Sequence, residues 1–192
     1  MKLHFILALL MALFIMSCNK QNSLKLEMGR VEFSFDSIAS KLVDTSFRYD
    51  SLFIDRVNKD SLVIMRYLGG EGYHYYSQFS LKNRVFYENR IEPFVIIEGE
   101  TETYAVLIPT FSVKDTIFRY IVDDDFTPFF VPDLGFDKCN YEIKKANNEL
   151  VTIKQSLVDT TYKEIYYYDQ NFNIYKYINT WKDNKCVYVR KE

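Results

Sequence analysis

From Phe136 to Glu192 the chain contains neither glycine nor proline, yet runs of β-branched and aromatic residues recur there between short polar breaks. The runs are VTIKQSL, YKEIYYY, FNIYKYINTW and CVYVRK. The breaks are Asn147-Asn148, Asp169-Gln170-Asn171 and Asp183-Asn184. Val, Ile, Tyr, Phe, Trp and Thr suit a pleated, half-buried surface. Asn and Asp accept the left-handed backbone of a tight turn and bond their own main chain. This spacing therefore predicts an antiparallel meander of four or five strands and leaves little room for helix.

The middle of the chain reads the same way. SLFIDRV and SLVIMRYL flank Asn58-Lys59-Asp60, a hairpin pattern. LGGEG (68–72) is a glycine turn before YHYYSQFSL, and Asn83-Arg84 leads into VFYEN. PFVIIE and TETYAVLI flank Gly99-Glu100, where glycine in first place predicts a type II′ loop. TIFRYIV runs into Asp123-Asp124-Asp125, and Pro128 and Pro132 break up the segment after it. Before these strands, Val31, Phe33 and Phe35 alternate as a first strand. Asp36 is placed to cap one short helix through Val43, with Ile38 and Leu42 on one side. The expected fold is mostly β: an antiparallel sandwich, or a strongly curved sheet or half-barrel, with at most one short helix. No 20–50-residue repeat is evident.

The N-terminus follows a different rule. Phe5 to Met16, FILALLMALFIM, is twelve residues without a charge, preceded by Lys2. As a helix it would be about 18 Å long, short of a bilayer core of about 30 Å. A basic start and a short apolar run are the pattern of a secretory signal peptide. The run ends Ile15-Met16-Ser17-Cys18. This resembles the lipobox of bacterial lipoproteins: an aliphatic residue three before the cysteine, a small residue just before it, then the cysteine. The resemblance implies cleavage before Cys18, a diacylglycerol on its sulfur and an acyl chain on its new amine. Two or three acyl chains anchor a protein stably where one does not. The composition, rich in Lys, Asn, Ile, Tyr and Phe, also resembles lipoproteins of the Bacteroides group. Asn19-Lys20-Gln21-Asn22-Ser23 lacks the acidic cluster that accompanies surface display there, so the expected address is the outer membrane, facing the periplasm. The division is then residues 1–17 as signal peptide, 18–25 as lipidated cysteine and flexible tether, and 26–192 as a single β-rich domain.

Removing residues 1–17 takes away one counted charge, Lys2, so 24 basic and 26 acidic side chains become 23 and 26 and the net charge is −3. There is no basic field of the kind nucleic-acid binding needs. With Cys18 taken by lipid, Cys139 and Cys186 remain, an even pair in an oxidising compartment. They are expected to form a disulfide worth about 3–4.7 kcal/mol by loop entropy, the other reading being two buried thiols.

Few residues suggest chemistry. Gly69-Gly70-Glu71-Gly72 fails the dinucleotide pattern, has no Walker lysine and reads as a turn. His74 is the only histidine after cleavage, so multi-histidine zinc sites and HExxH are excluded, and no GxSxG accompanies it. Asp123-Asp124-Asp125 departs from the EF-hand pattern and reads as a solvated acidic turn. Glu98, Glu100 and Glu102 share a face only if the strand runs through Gly99. No catalytic residue, metal site or cofactor is expected. The remaining feature is the C-terminal aromatic density. In FNIYKYINTW, period two puts Phe172, Ile174 and Ile178 on one side and Tyr175, Tyr177 and Trp181 on the other. Both sides are apolar-leaning, so one is core and the other a covered or binding face, with Tyr175, Tyr177 and Trp181 as the candidate face for a ligand or partner. The expected function is a membrane-anchored, non-enzymatic binding or assembly module of the cell envelope with a protein or glycan partner. A lipid or small-ligand carrier with an apolar cavity, and an envelope hydrolase, are the alternatives.

Overall fold

A computed structural model describes residues 27–68, 73–97, 100–114, 118–123, 138–146 and 149–192. The alternating runs become strands β1 (Gly29–Phe35), β2 (Tyr49–Asn58), β3 (Ser61–Leu68), β4 (Tyr73–Lys82), β5 (Val85–Ile97), β6 (Glu100–Ser112), β7 (Phe118–Asp123), β8 (Lys138–Ala146), β9 (Glu149–Ser156), β10 (Lys163–Tyr168), β11 (Ile174–Trp181) and β12 (Asn184–Arg190). All belong to one antiparallel sheet in the order β6-β5-β4-β3-β2-β1-β12-β11-β10-β9-β8-β7. The C-terminal meander β9 to β12 forms as its sequence predicts.

Turn chemistry sets these registers. Lys82 pairs with Val85, and the two residues between them, Asn83 (φ 52°) and Arg84 (φ 62°), are both left-handed, the type I′ pattern. Asn58 Oδ1 accepts from Asp60 N at 2.9 Å in the β2–β3 loop. Asp169 Oδ1 accepts from Asn171 N (2.7 Å) and Asn173 N (2.9 Å), shaping the glycine-free β10–β11 loop.

Two local expectations are corrected. Ile97 pairs with Glu100, so the β5–β6 loop is residues 98 and 99, one position earlier than Gly99-Glu100; those two lie outside the described residues. The helix from Asp36 to Val43 is only a turn. Asp36 Oδ1 does accept from Ile38 N and Ala39 N, both at 3.0 Å. But Lys41 then bridges to Lys185, and Ser40 Oγ accepts from Val187 N at 2.8 Å. Pairing with β12 wins over a helix whose Ile38 is 96% exposed and has no face to bury. The helical turn that does form is a 3-10 turn at Thr45–Phe47, capped by Asp44.

The sheet curves until β6 lies against β8 and β9, making it nearly closed and barrel-like. Side chains close the seam in place of a backbone ladder. Thr152 Oγ1 donates to Thr110 O at 2.6 Å. Tyr168 Oη accepts from Ser112 N at 3.1 Å and donates to Ser112 O at 3.0 Å. These bonds occupy main-chain groups on the free edge of β6, which would otherwise be buried and unmet.

Aromatic rings fill the interior. Phe111 meets Phe79, Tyr166 and Tyr168 at centroid distances of 5.2, 5.3 and 5.3 Å, and Phe86 meets Phe172 edge-on at 5.0 Å. The outer side of β9 to β12 is aliphatic too: Ile153, Ile165, Ile178 and Val187 stand in one cross-strand row. The expectation that both sides of this meander are apolar holds.

Cys139 and Cys186 are both buried and are not joined to each other, so the expected disulfide is absent. Cys139 is on β8 and Cys186 on β12, four strands apart in the sheet. At about 4.8 Å per strand, that separation along the sheet far exceeds the ~7 Å limit between bridged Cα atoms.

Candidate functional site

β10 carries Tyr162, Glu164, Tyr166 and Tyr168 in alternation around its start, and all four are buried inside the barrel. Glu164 faces Arg66 of β3 across the interior, Oε2 to Nη2 3.6 Å. Both of its carboxylate oxygens are engaged. Tyr162 Oη donates to Oε1 and Tyr166 Oη to Oε2, each at 2.5 Å. Tyr166 Oη accepts in turn from Arg66 Nη2 at 2.5 Å, and Arg66 Nη1 donates to Ser77 Oγ at 3.1 Å. The guanidinium lies 5.6 Å from the centre of the Tyr177 ring. Burial pushes the Glu164 pKa up, but Lys154, Arg66 and the two tyrosine hydroxyls outweigh it and hold the acid at about 2. Burial likewise pushes the Tyr162 and Tyr166 hydroxyls well above their ordinary values. A proton-transfer group needs a pKa near working pH and a free lone pair or proton. Glu164 is held well below that range with both oxygens hydrogen-bonded, so the cluster is arranged to keep a buried charge in place.

The candidate residues Tyr175, Tyr177 and Trp181 do not share a face. Tyr167 pairs with Lys176 and Tyr168 with Ile174, so a bulge accommodates Tyr175. Period two is broken there. Ile174 and Tyr177 both point inward, and Tyr177 is 1% exposed against Tyr166 and Tyr188. Tyr175 lies on the outer side, half-buried beside Tyr167, its hydroxyl donating to Glu149 Oε1 at 2.8 Å.

Trp181 stands at the opposite end of β11, on the barrel rim. Its ring lies against Phe47, tilted by 33° with centroids 3.9 Å apart, and Lys182 Nζ is 4.0 Å from its centre. Its Nε1 donates to Asp159 Oδ2 at 2.7 Å. Three connections meet at this rim. Asn184 Oδ1 accepts from Val43 N and Asp44 N, both at 2.8 Å. Lys182 N donates to Thr161 Oγ1 at 3.0 Å. The 42–47, 157–161 and 181–184 segments are thus pinned together, and they present Val43 and Val158, each 67% exposed, with Leu157 beside them. An apolar rim on a braced frame can dock a protein surface. The sequence points to Trp181 but not to this rim, since Phe47 and Val158 lie in segments without periodicity and Val43 reads as the end of a short helix.

Cys18, Gly69-Gly70-Glu71-Gly72, Glu98, Asp124 and Asp125 lie outside the described residues. The backbone of His74 sits in β4 opposite Tyr67, Glu100 and Glu102 are in β6 opposite Ile97 and Val95, and Asp123 ends β7 opposite Lys138. Among the described residues, no group of three or more His, Cys, Asp or Glu is placed to hold a metal ion. Comparison with protein-family models, with characterised proteins and with solved structures returned no match.

Proposed function

We propose that this chain is a lipid-anchored protein of the cell envelope that acts as a non-enzymatic binding or assembly module, docking an envelope protein on the Trp181 rim. The observation that carries the reading is the pair of 67%-exposed valines, Val43 and Val158, on segments braced by Trp181, Asp159 and Asn184. Exposed aliphatic side chains on a braced backbone lose little conformational freedom on docking. The Trp181 ring is already in contact with Phe47 and beneath Lys182. With the indole partly covered, the rim offers mainly aliphatic side chains, which suits a protein better than a glycan. Aromatic side chains occupy the barrel interior, which favours surface binding over carriage of a ligand inside. The lipobox resemblance at Cys18 supplies the anchor, and a tethered module meets membrane-bound partners at raised effective concentration.

Cells are given an alkyne fatty acid and a photo-crosslinking amino acid at position 158 or 57. Labelled wild type, unlabelled Cys18→Ser, and a discrete adduct from position 158 that Val43→Asp removes are expected. Position 57 is equally exposed but at the other end of the barrel. Equal adducts from both positions would sink the docking surface, and an unlabelled wild type would sink the anchor.

A further inference from the structure

The N-terminal side of the chain enters the fold at a definite place. Gly29 opens β1 opposite Arg56 of β2, at the end of the barrel away from Trp181. Ser61 pairs with Ser80, Lys82 with Val85, and Val85 with Ser112. The β2–β3 loop, the β4–β5 turn and the end of β6 therefore lie at that same end. Leu81 N donates to Asp60 O at 2.8 Å, which ties the first two together. Cys18 is nine residues before Glu27, a reach of at most about 30 Å.

This end exposes an uneven set of side chains. Met28 and Val57 each stand one residue beyond the Gly29–Arg56 pair and are 56% and 65% exposed. Along the arc that follows, Lys59, Lys82, Arg84 and Lys114 are all exposed. Asp60 is the one carboxylate in the segments 57–60, 82–85 and 112–114. None of the four cations forms an ion pair among the described residues. The Trp181 end differs. In 41–44, 157–161 and 181–185, Lys41, Lys182 and Lys185 are matched by Asp44, Asp159 and Asp183.

We propose that the arc from Met28 and Val57 to Lys114 rests on the phospholipid surface that holds the chain. The anchor is that of the lipobox reading above, on which this surface depends. Apolar side chains enter the headgroup boundary while Lys and Arg meet anionic lipid, and binding grows with both. A short tether keeps this end at high effective concentration beside the bilayer, so a surface too weak to bind alone is still occupied. Lipid is favoured over an acidic protein because the tether delivers this end to the membrane. The Trp181 rim is then turned away from the bilayer.

The test uses the full chain purified from cells and reconstituted into vesicles of phosphatidylethanolamine and phosphatidylglycerol in equal parts, or of phosphatidylcholine alone. Each carries a trace of phospholipid with a photoreactive diazirine on its acyl chain, and mass spectrometry after illumination locates the adducts. Adducts at Met28 and Val57, none at Val43 or Val158, and a lower yield in phosphatidylcholine are expected. Lys59→Gln and Lys82→Gln should each cut the Val57 yield by about five-fold. Lys185→Gln, at the other end, should leave it unchanged. Equal adducts at Val158, none at Val57, or a yield indifferent to both lysines and to lipid charge would overturn the surface. Acylation of Cys18 is read from the same spectra. Acylated Cys18 without Val57 adducts overturns the surface alone. Val57 adducts with a bare Cys18 support the surface and overturn the anchor.

Discussion

Glu164 combines deep burial with full ionisation, and that combination has a measurable cost and pH signature. Replacing it with Gln leaves Arg66 charged and buried with its carboxylate gone, which typically costs about 3–5 kcal/mol. Urea unfolding of Glu164→Gln at pH 7 should show a loss of that size. The pH dependence follows from a folded pKa of about 2 against an ordinary 4.5. The folded state holds the proton more weakly, so the stabilisation is fully present above about pH 5 and fades as pH falls from 4.5 towards 2. At most it is about 3 kcal/mol. A stability profile measured from pH 7 to 3 should decline below 4.5 in wild type and decline less in Glu164→Gln. The signal for this residue was in the sequence: Tyr162, Glu164, Tyr166 and Tyr168 share one side of YKEIYYY, and a lone acid among tyrosines must be paired if that side is core. Its partner could not be read, because Arg66 lies 98 positions away on another strand. Cys139 and Cys186 failed for the complementary reason. An even count suggests a pair, but only sheet order tells that three strands lie between them.

At the scale of the element, the turns show where sequence suffices. Asn and Asp placed most connections, since each imposes its own local hydrogen bonds. Arg84 departs from ideal turn chemistry, as do Phe172 and Lys182. It holds φ 62° in the β4–β5 turn, where a Cβ is penalised. Arg84→Gly should therefore raise stability by about 0.5–1 kcal/mol, read as a higher melting temperature with unchanged far-ultraviolet dichroism. The β10–β11 bulge was not legible. A strict alternation groups Tyr175 with Tyr177, and only the pairing of Tyr167 with Lys176 and Tyr168 with Ile174 reveals the extra residue. One inserted position moved the core side of β11 from Ile178 to Tyr177.

For the whole molecule, every neighbouring pair of strands except one is a hairpin between consecutive strands, and those local pairings carry the β class that the sequence predicts. The exception, β1 with β12, joins the two ends of the chain and leaves no local trace. The seam is equally non-local. If Tyr168 and Thr152 hold β6 in place, Tyr168→Phe should strip two bonds from Ser112 and cost about 1–3 kcal/mol. Hydrogen exchange should then quicken first at the Ser112 amide. Uniform acceleration across the sheet would show that closure does not depend on these hydroxyls.

The placement of β1 has a mechanical consequence. It enters from the N-terminal side yet lies inside the sheet, bonded to β2 through Gly29–Phe33 and to β12 through Phe33–Phe35. Tension applied to the N-terminal end of β1 runs along the strand, across hydrogen bonds that stand perpendicular to it. Both ladders are then sheared at once, where a pull on an edge strand would peel one ladder bond by bond. A load that enters through residue 27 is shared by both halves of the barrel, and the seam between β6 and β9, the joint without a backbone ladder, lies on neither strand that carries it.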